Sequence, residues 1–439
     1  MVELNSRFVM TSHFRGLWGW ARRLWSLCHL GLLLTLPAAA QEWTRFRGPN
    51  GSGISLAQTI PTKWSAPHLR WKTALPGVGH SSPVLWGQRL FITSADEATG
   101  RFYILALDAQ DGSVLWRREF PFTPFPKHQY NSFASSTPTV DAERVYVAWT
   151  TPAHHTLAAF DHAGRTLWEL DLGPFVSQHN GGTSPILHDG KVILANEQDG
   201  ESFLAAIEAA TGKWRWKTPR VASRAAYSTP CLWTPPKGKP VLIFNSQSHG
   251  ISAIDPDTGG VVWAFSQAFD KRSVSSPVIA AGLILGSCGS GGGGNYLVAL
   301  RPGDPAAGRP PELAWQVRRS APYVPTSLAV GELVFLWSDG GIVSCVHAPT
   351  GEVKYQERVG GDYFGSPVWV DGRLFNVSAG GEVVVVKAAE DFEVLARFAL
   401  NELCRSTPAV ANERMFIHTA SHLWCIGQPD APEAPATSR

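Results

Sequence analysis

Apolar and polar positions alternate along this chain in short runs, and the runs themselves repeat. Residues 253–263, Ala-Ile-Asp-Pro-Asp-Thr-Gly-Gly-Val-Val-Trp, define the unit. An alternating strand ends at Ala253-Ile254. Asp255 is placed to accept hydrogen bonds from the backbone ahead of it, as an Asx-turn. Gly259 supplies the positive φ that closes a tight hairpin. The returning strand carries Trp263, whose large apolar surface suits a packed sheet face. One such hairpin cannot bury its own face, so the pattern predicts stacked copies.

The copies are present. Ala106-Leu107-Asp108 runs to Trp116, Ala159-Phe160-Asp161 to Trp168, and Ala206-Ile207-Glu208 to Trp216. Ala299-Leu300-Arg301 reaches Trp315 after a Pro- and Gly-rich insertion. Cys345-Val346-His347 runs to Tyr355, and Val385-Val386-Lys387 to Leu395. With Trp71, the tryptophans at 116, 168, 216, 263 and 315 are read as the structural anchors of the repeat.

A Ser/Thr-Pro step followed by an apolar strand alternates with this signal. It occurs at Ser82-Pro83, Thr137-Pro138, Ser184-Pro185, Thr229-Pro230, Ser276-Pro277, Ser366-Pro367 and Thr407-Pro408, with Val324-Pro325 assigned to the remaining slot. The eight prolines lie 41 to 55 residues apart, the spacing of four-stranded propeller blades. Proline is tolerated at the first residue of a strand. The last unit stops after Leu423-Trp424-Cys425-Ile426 without an outer strand, whereas Leu69-Arg70-Trp71-Lys72 reads as an outer strand with no blade upstream. The two ends are therefore expected to share one blade, which leaves no open sheet edge. The fold class that follows is all-β: an eight-bladed propeller of four-stranded antiparallel blades, closed by the N-terminal strand.

The domain plan has four parts. Residues 1–40 read as a signal peptide, with Arg22-Arg23, an apolar run from Leu24 to Leu36, and Ala38-Ala39-Ala40 as the cleavage site. Residues 41–68 form an N-terminal extension that packs on the propeller. Trp43 and Phe46 are read there as docking residues, and a ligand role stays open for Arg47 and Asn50. The propeller spans 69–427, and 428–439 is a Pro- and Ala-rich disordered tail. The expected location is exported, in the periplasm or cell envelope.

Composition narrows the function classes. The 439 residues are 44% hydrophobic and 17% charged, with 18 Trp and 3 Met. A formal charge of +2 argues against nucleic acid as a partner. There is no Cys-x-x-Cys, and no zinc-binding helix is read, so no metal is assigned. No Gly-x-Ser-x-Gly elbow occurs, and the Ser-Ser steps recur at equivalent repeat positions, as a structural turn does. Gly289 to Gly294 reads as a flexible hairpin rather than a phosphate cradle. Cys231, Cys288, Cys345, Cys404 and Cys425 read as buried thiols, with a Cys404–Cys425 bridge left open.

Loops that lead from each outer strand to the next inner strand would gather at the mouth of the central channel. Their residues are the ligand-binding candidates: His80, His128, Tyr130, Asn131, His179, Asn180, Arg224, Tyr227, Arg272, Tyr323, Tyr363 and Arg405. Rings that stack and donors that bind anions would meet in one concave site. A water-filled channel mouth is polar in any case, and Tyr and His also fill gaps between blades. Both readings stand at this point. No catalytic residue is assigned; Asp362 and Glu201 are the carboxylates that stand out.

The small-x-Asp-x-x-Thr-Gly-x-x-x-Trp signature, at Ala253 to Trp263 and Ala206 to Trp216, resembles the pyrroloquinoline quinone (PQQ) repeat. Phe46-Arg-Gly-Pro-Asn-Gly51 with Trp64 and Leu69-Arg-Trp71 is similar to exported PQQ-like repeat proteins of planctomycete type. The resemblance implies the eight-bladed propeller of quinoprotein alcohol dehydrogenases and of the outer-membrane assembly lipoprotein BamB. PQQ and calcium are the cofactors it implies for the dehydrogenases. The adjacent cysteines of those enzymes are absent here, no calcium set is matched, and the lipid-bearing cysteine of BamB is missing. No cofactor is therefore assigned. The leading expectation is a non-catalytic binding or scaffold module at the envelope. It is expected to be monomeric, without a membrane span after signal cleavage, and to hold a protein or small molecule at the propeller mouth. A PQQ-dependent oxidoreductase acting on alcohols or sugars and a polysaccharide-binding propeller are the alternatives.

Overall fold

The turn at Asp255 shows how the repeat works. In the computed structural model, which describes residues 42–222 and 224–429, Asp255 Oδ1 accepts from the N–H of Asp257 at 2.7 Å and Thr258 at 3.1 Å. Gly259 has a φ of 73°, the left-handed region that favours glycine. Space imposes a second demand. A Cβ on Gly259 would lie 2.7 Å from the Trp216 ring and 2.6 Å from Thr218 Oγ1, both in the preceding blade. Trp216 Nε1 donates to Pro256 O at 3.0 Å in the same turn.

The Asp-turn of one blade is thus the socket for the tryptophan of the blade before it. Trp71 faces Gly112 and bonds Ala109 O, Trp116 faces Gly164 and bonds His162 O, and Trp168 faces Gly212 and bonds Ala209 O. Trp315 does the same with Gly351 and Ala348 O. Gly190 offers a control, since it has a φ of 68°, but a Cβ there would meet no heavy atom within 4 Å. Gly190→Ala is expected to cost about 1 kcal/mol of backbone strain. Gly259→Ala adds the steric conflict, for about 3 kcal/mol in all. Urea midpoints check this, and equal losses would contradict the socket.

Blade one comprises Val84–Trp86, Arg89–Asp96, Arg101–Asp108 and Val114–Pro121, from the axis outward. Seven further sheets follow the same antiparallel order around the ring. In the eighth, Leu69–Ala74 supplies the outer strand and pairs with His422–Gly427, with Trp71 opposite Cys425. The chain closes itself as its two ends predict. Apolar faces of adjacent blades meet in layers; Phe91, Ile104, Val147 and Phe160 are buried between blades one and two. Each such side chain contributes roughly 1.5–3 kcal/mol by burial.

The Ser/Thr-Pro step has a role that spacing alone does not reveal. A hydroxyl of one blade accepts a hydrogen bond from the equivalent N–H of the blade before it. Ser82 N donates to Thr137 Oγ1, Thr137 N to Ser184 Oγ, and Thr229 N to Ser276 Oγ. Ser276 N donates to Thr326 Oγ1, Thr326 N to Ser366 Oγ, Ser366 N to Thr407 Oγ1, and Thr407 N back to Ser82 Oγ. This girdle corrects the sixth slot. Thr326, not Val324, carries the ring position, and Ser327 stands where other blades have proline before Leu328–Val330. The hydroxyl is what the position requires; the proline is dispensable.

Blade seven also departs from expectation. Ile54–Ser55 adds a short parallel strand on the axial side of Val368–Val370, making five strands. Among the described residues the helical elements are four short 3-10 turns, and no helix is long and apolar enough to cross a membrane. The proposed signal peptide lies outside the described residues, as do positions 430–439 of the tail.

All five cysteines from Cys231 onward are buried and unpaired, so the Cys404–Cys425 bridge does not form. Cys404 Sγ instead donates to His418 O at 3.3 Å, and burial pushes the Cys425 thiol up to about 12.

Two buried histidines give the fold a pH signature. His155 bonds Asn196 Oδ1 at 2.9 Å, and His418 Nδ1 bonds Ser81 O at 2.7 Å. Burial lowers both pKa values from 6.5 to about 4. Between these values the unfolded chain binds protons that the folded chain does not, so stability falls as pH drops from about 6.5 to about 4. The slope is about 1.4 kcal/mol per pH unit for each histidine. A melting temperature that stays level across this window would contradict their neutral burial.

Candidate ligand site at the propeller mouth

The axis is closed on one side by the segment that precedes the ring. Leu85 N donates to Trp43 O at 2.9 Å, and Val140 N donates to Thr44 O at 2.8 Å. Asn50 exchanges two bonds of 2.8 Å with the backbone of Leu232. Trp369 N donates to Gly53 O at 2.8 Å. Arg47 sits at the centre, fully buried, and donates to Gly51, Ser52, Thr326 and Ser327 carbonyls at 2.9–3.2 Å. Arg47 and Asn50, left open as ligand residues, are engaged with backbone. Phe46, read as a docking residue, lines the cavity above.

That cavity has a volume of about 1050 Å³, and the loops entering all eight blades contribute to it. His80, His128, Tyr130, Asn131, His179, Arg224, Tyr227, Arg272, Tyr323, Tyr363 and Arg405 line it. Asn180 does not. Its φ is 73°, and its side chain turns into the blade, where Oδ1 accepts from Thr150 Oγ1 at 2.7 Å. Asn131 lines the wall, but its amide ties two loops together by donating to His179 O. Tyr363 is fully buried against Trp337, with ring centroids 5.2 Å apart. Its hydroxyl has no partner among the described residues.

The mouth is crossed by the long loop before blade two. Its Tyr130 meets Phe364, from the loop before blade seven, at 5.2 Å. The Arg405 guanidinium lies 5.1 Å from the Tyr130 ring and 5.2 Å from Phe364. On another wall Arg272 Nη1 donates to His179 at 3.0 Å, and its guanidinium lies 6.0 Å from the Tyr227 ring. Burial, then the charge of Arg272, lowers the His179 pKa to about 4, so its ring is a neutral acceptor. Burial, then the charge of Arg405, holds His80 neutral at about 3. Burial raises the Tyr227 hydroxyl to about 12.

Several lining groups do not stand out in the sequence. In blades four to seven the corner between the second and third strands also opens onto the cavity, and one carries Asp339. Its carboxylate accepts from Tyr323 N at 2.7 Å and Val324 N at 3.0 Å, while burial raises its pKa. The available signal is the contrast of Ser338-Asp339-Gly340-Gly341 with Ser378-Ala379-Gly380-Gly381 at the equivalent corner of the next blade. Of the two carboxylates that stand out in the sequence, Asp362 lines the cavity. Glu201 is exposed outside it and paired with Lys217 at 2.7 Å. The glycine-rich run is another such corner. A Cβ on Gly289 would clash with the Asn295 amide and lie 2.9 Å from Tyr323 Cβ, so glycine there admits both side chains.

A family model for outer membrane protein assembly factor BamB, of the PQQ-repeat type, matches residues 100–357 and 251–393. This chain belongs to the PQQ-like β-propeller family. The propeller is similar in fold to BamB from Moraxella catarrhalis, with a TM-score of 0.58 and 15% identity over 83% of this chain and 100% of that one. It is also similar to the quinohemoprotein alcohol dehydrogenase ADHIIG from Pseudomonas putida HK5, with a TM-score of 0.61 and 13% identity over 91% and 82% of the two chains. A curated relative, polyvinylalcohol dehydrogenase from a Pseudomonas species, is 27% identical over 190 residues. That match takes in 38% of this PQQ-like chain and only 28% of the relative.

The cofactors implied by the dehydrogenases fit unequally. Arginines beside tyrosines suit a planar polycarboxylate such as PQQ. The donors do not suit calcium, which takes six to eight oxygen ligands. Among the described residues no group of three or more His, Cys, Asp and Glu is placed to hold a metal ion. No step through a calcium-bound quinone is derived.

Proposed function

We propose that this PQQ-like propeller is an exported, non-catalytic binding module of the cell envelope that holds a ligand in its axial funnel. One observation carries the reading: eight loops converge on a single cavity whose far side is closed by the segment bearing Phe46. A blind, ring-lined funnel suits retention of a ligand rather than passage through a channel. The girdle of Ser and Thr hydroxyls and the tryptophan sockets give it rigid walls.

A periplasmic quinoprotein oxidoreductase is the second reading, favoured by the partial match to a polyvinylalcohol dehydrogenase. Polysaccharide binding along a rim of exposed rings has less support. Among the described residues the exposed large aromatics are Tyr130 and Trp214, and Trp214 lies on an outer strand away from the mouth. Thermal unfolding with PQQ, with and without calcium, separates the first two readings. A ligand that binds only the folded state raises the melting temperature. The binding-module reading expects no calcium-dependent rise; a clear one would replace it with the quinoprotein.

A further inference from the structure

The charges inside the funnel are mixed but unpaired, and that combination selects a ligand. Arg224, Arg272 and Arg405 have no carboxylate partner among the described residues, although Asp270, Asp339 and Asp362 line the same cavity. Arg272 is only 7% exposed, and its Nε is buried without a partner. Its neighbours are the neutral His179, the ring of Tyr227 and the Tyr323 hydroxyl. Arg405 repeats the arrangement on the far wall, flanked by Tyr130 and Phe364, with its own Nε unpartnered. Arg272 suits an anion because a buried charge without a carboxylate partner is costly, and half-buried Arg405 offers a second guanidinium fork.

A plain anion does not account for the carboxylates. They would repel it. Asp339 is held by two backbone N–H groups, yet a carboxylate has about four lone-pair sites, so it can still accept from hydroxyls. Flat rings between the charges offer faces for stacking. The cavity, at about 1050 Å³, lies at the upper end of the roughly 300–1000 Å³ that holds a drug-sized ligand, so it has room for more than one ring. The floor at Phe46 stops a chain from passing through.

We infer that the funnel receives the end of an acidic oligosaccharide, with uronate carboxylates on Arg272 and Arg405 and sugar hydroxyls on Asp339. This rests on the reading of the funnel as a binding site, and it names the ligand class. The test is calorimetric titration of the full chain with trigalacturonate, triguluronate and trimannuronate, each beside its carboxyl-reduced counterpart. At least one acidic trimer binds, and its reduced form binds at least tenfold more weakly. Arg272→Gln and Arg405→Gln each weaken binding at least tenfold with unchanged circular dichroism. If one of these variants fails to fold, the other still decides. Asp339→Asn weakens the trimer but strengthens citrate binding, because the carboxylate it removes repels a plain anion. Equal binding of acidic and reduced trimers overturns the inference. So does the absence of heat with all three acids. In that last case a melting-temperature rise with citrate leaves the funnel reading standing, whereas no rise removes both.

Discussion

Trp71→Ala is expected to lower unfolding stability by about 3–5 kcal/mol, the usual loss for a large aromatic removed from a packed site. Trp71 lies on the one strand that joins the two ends of the chain, opposite Cys425. Its ring fills the socket at Gly112 of blade one, and its Nε1 bonds Ala109 O at 3.2 Å. The side chain therefore fastens blade eight to blade one at the point of closure. Its loss leaves a cavity and a weakened seam, although Ala109 O keeps its bond from Arg414 at 2.7 Å. Trp214→Ala is the comparison, because Trp214 is exposed on an outer strand; that change should cost less than about 1 kcal/mol. Urea unfolding measures both. Hydrogen exchange should also accelerate first in Leu69–Ala74 and His422–Gly427. Equal losses for the two variants would remove Trp71 from its role as the clasp.

Arg47→Met is expected to cost about 3 kcal/mol and to loosen the floor of the funnel. Arg47 is completely buried with no carboxylate beside it, and burial lowers its pKa to about 9. Its charge is balanced by four carbonyl oxygens, two of them from Thr326 and Ser327 at the start of an inner strand. Methionine matches the length of the stem but donates nothing. Each carbonyl left without a donor costs roughly 1–3 kcal/mol, partly offset because a buried charge is also removed. Limited proteolysis should then cut within residues 42–53 while the blades stay resistant. A variant with wild-type stability and an uncut segment would show that the plug is held by its other contacts alone.

The blades were legible because their rule is local and repeated. Asp255, Gly259 and Trp263 each do a job that spacing exposes, and the same job recurs in neighbouring copies. Closure was legible for the same reason, since one outer strand was missing at one end and one was spare at the other. The reason for glycine in each turn was only half legible. Positive φ follows from the hairpin, but the ring of Trp216 against Gly259 belongs to a neighbouring blade, and no local pattern reports it. Reliance on proline misplaced the sixth inner strand, because what the fold requires there is a hydroxyl, at Thr326, that reaches across to Ser276 N. Ile54–Ser55 was missed because two residues show no alternation.

The mouth was legible as a set of loops but not as a set of side-chain directions. His128, Arg272 and Arg405 face the cavity. Asn180 sits beside His179 in sequence, yet its left-handed backbone turns it into the blade toward Thr150. Tyr363 reaches the cavity wall fully buried, packed on Trp337. Asp339 hid in a corner loop, and only comparison with Ala379 at the equivalent position of the next blade marks it.

Hydrogen exchange read by mass spectrometry tests the central claim most directly: that ligand is held in the funnel. The full chain is measured with and without whichever of PQQ, citrate and the three acidic trimers raises its melting temperature. The funnel predicts protection in the mouth loops, at residues 126–131, 270–272, 337–340 and 362–366, with the outer strands unchanged. Protection confined to outer strands such as Trp214–Arg220, or no melting-temperature rise with PQQ, citrate or any of the three acidic trimers, would contradict it.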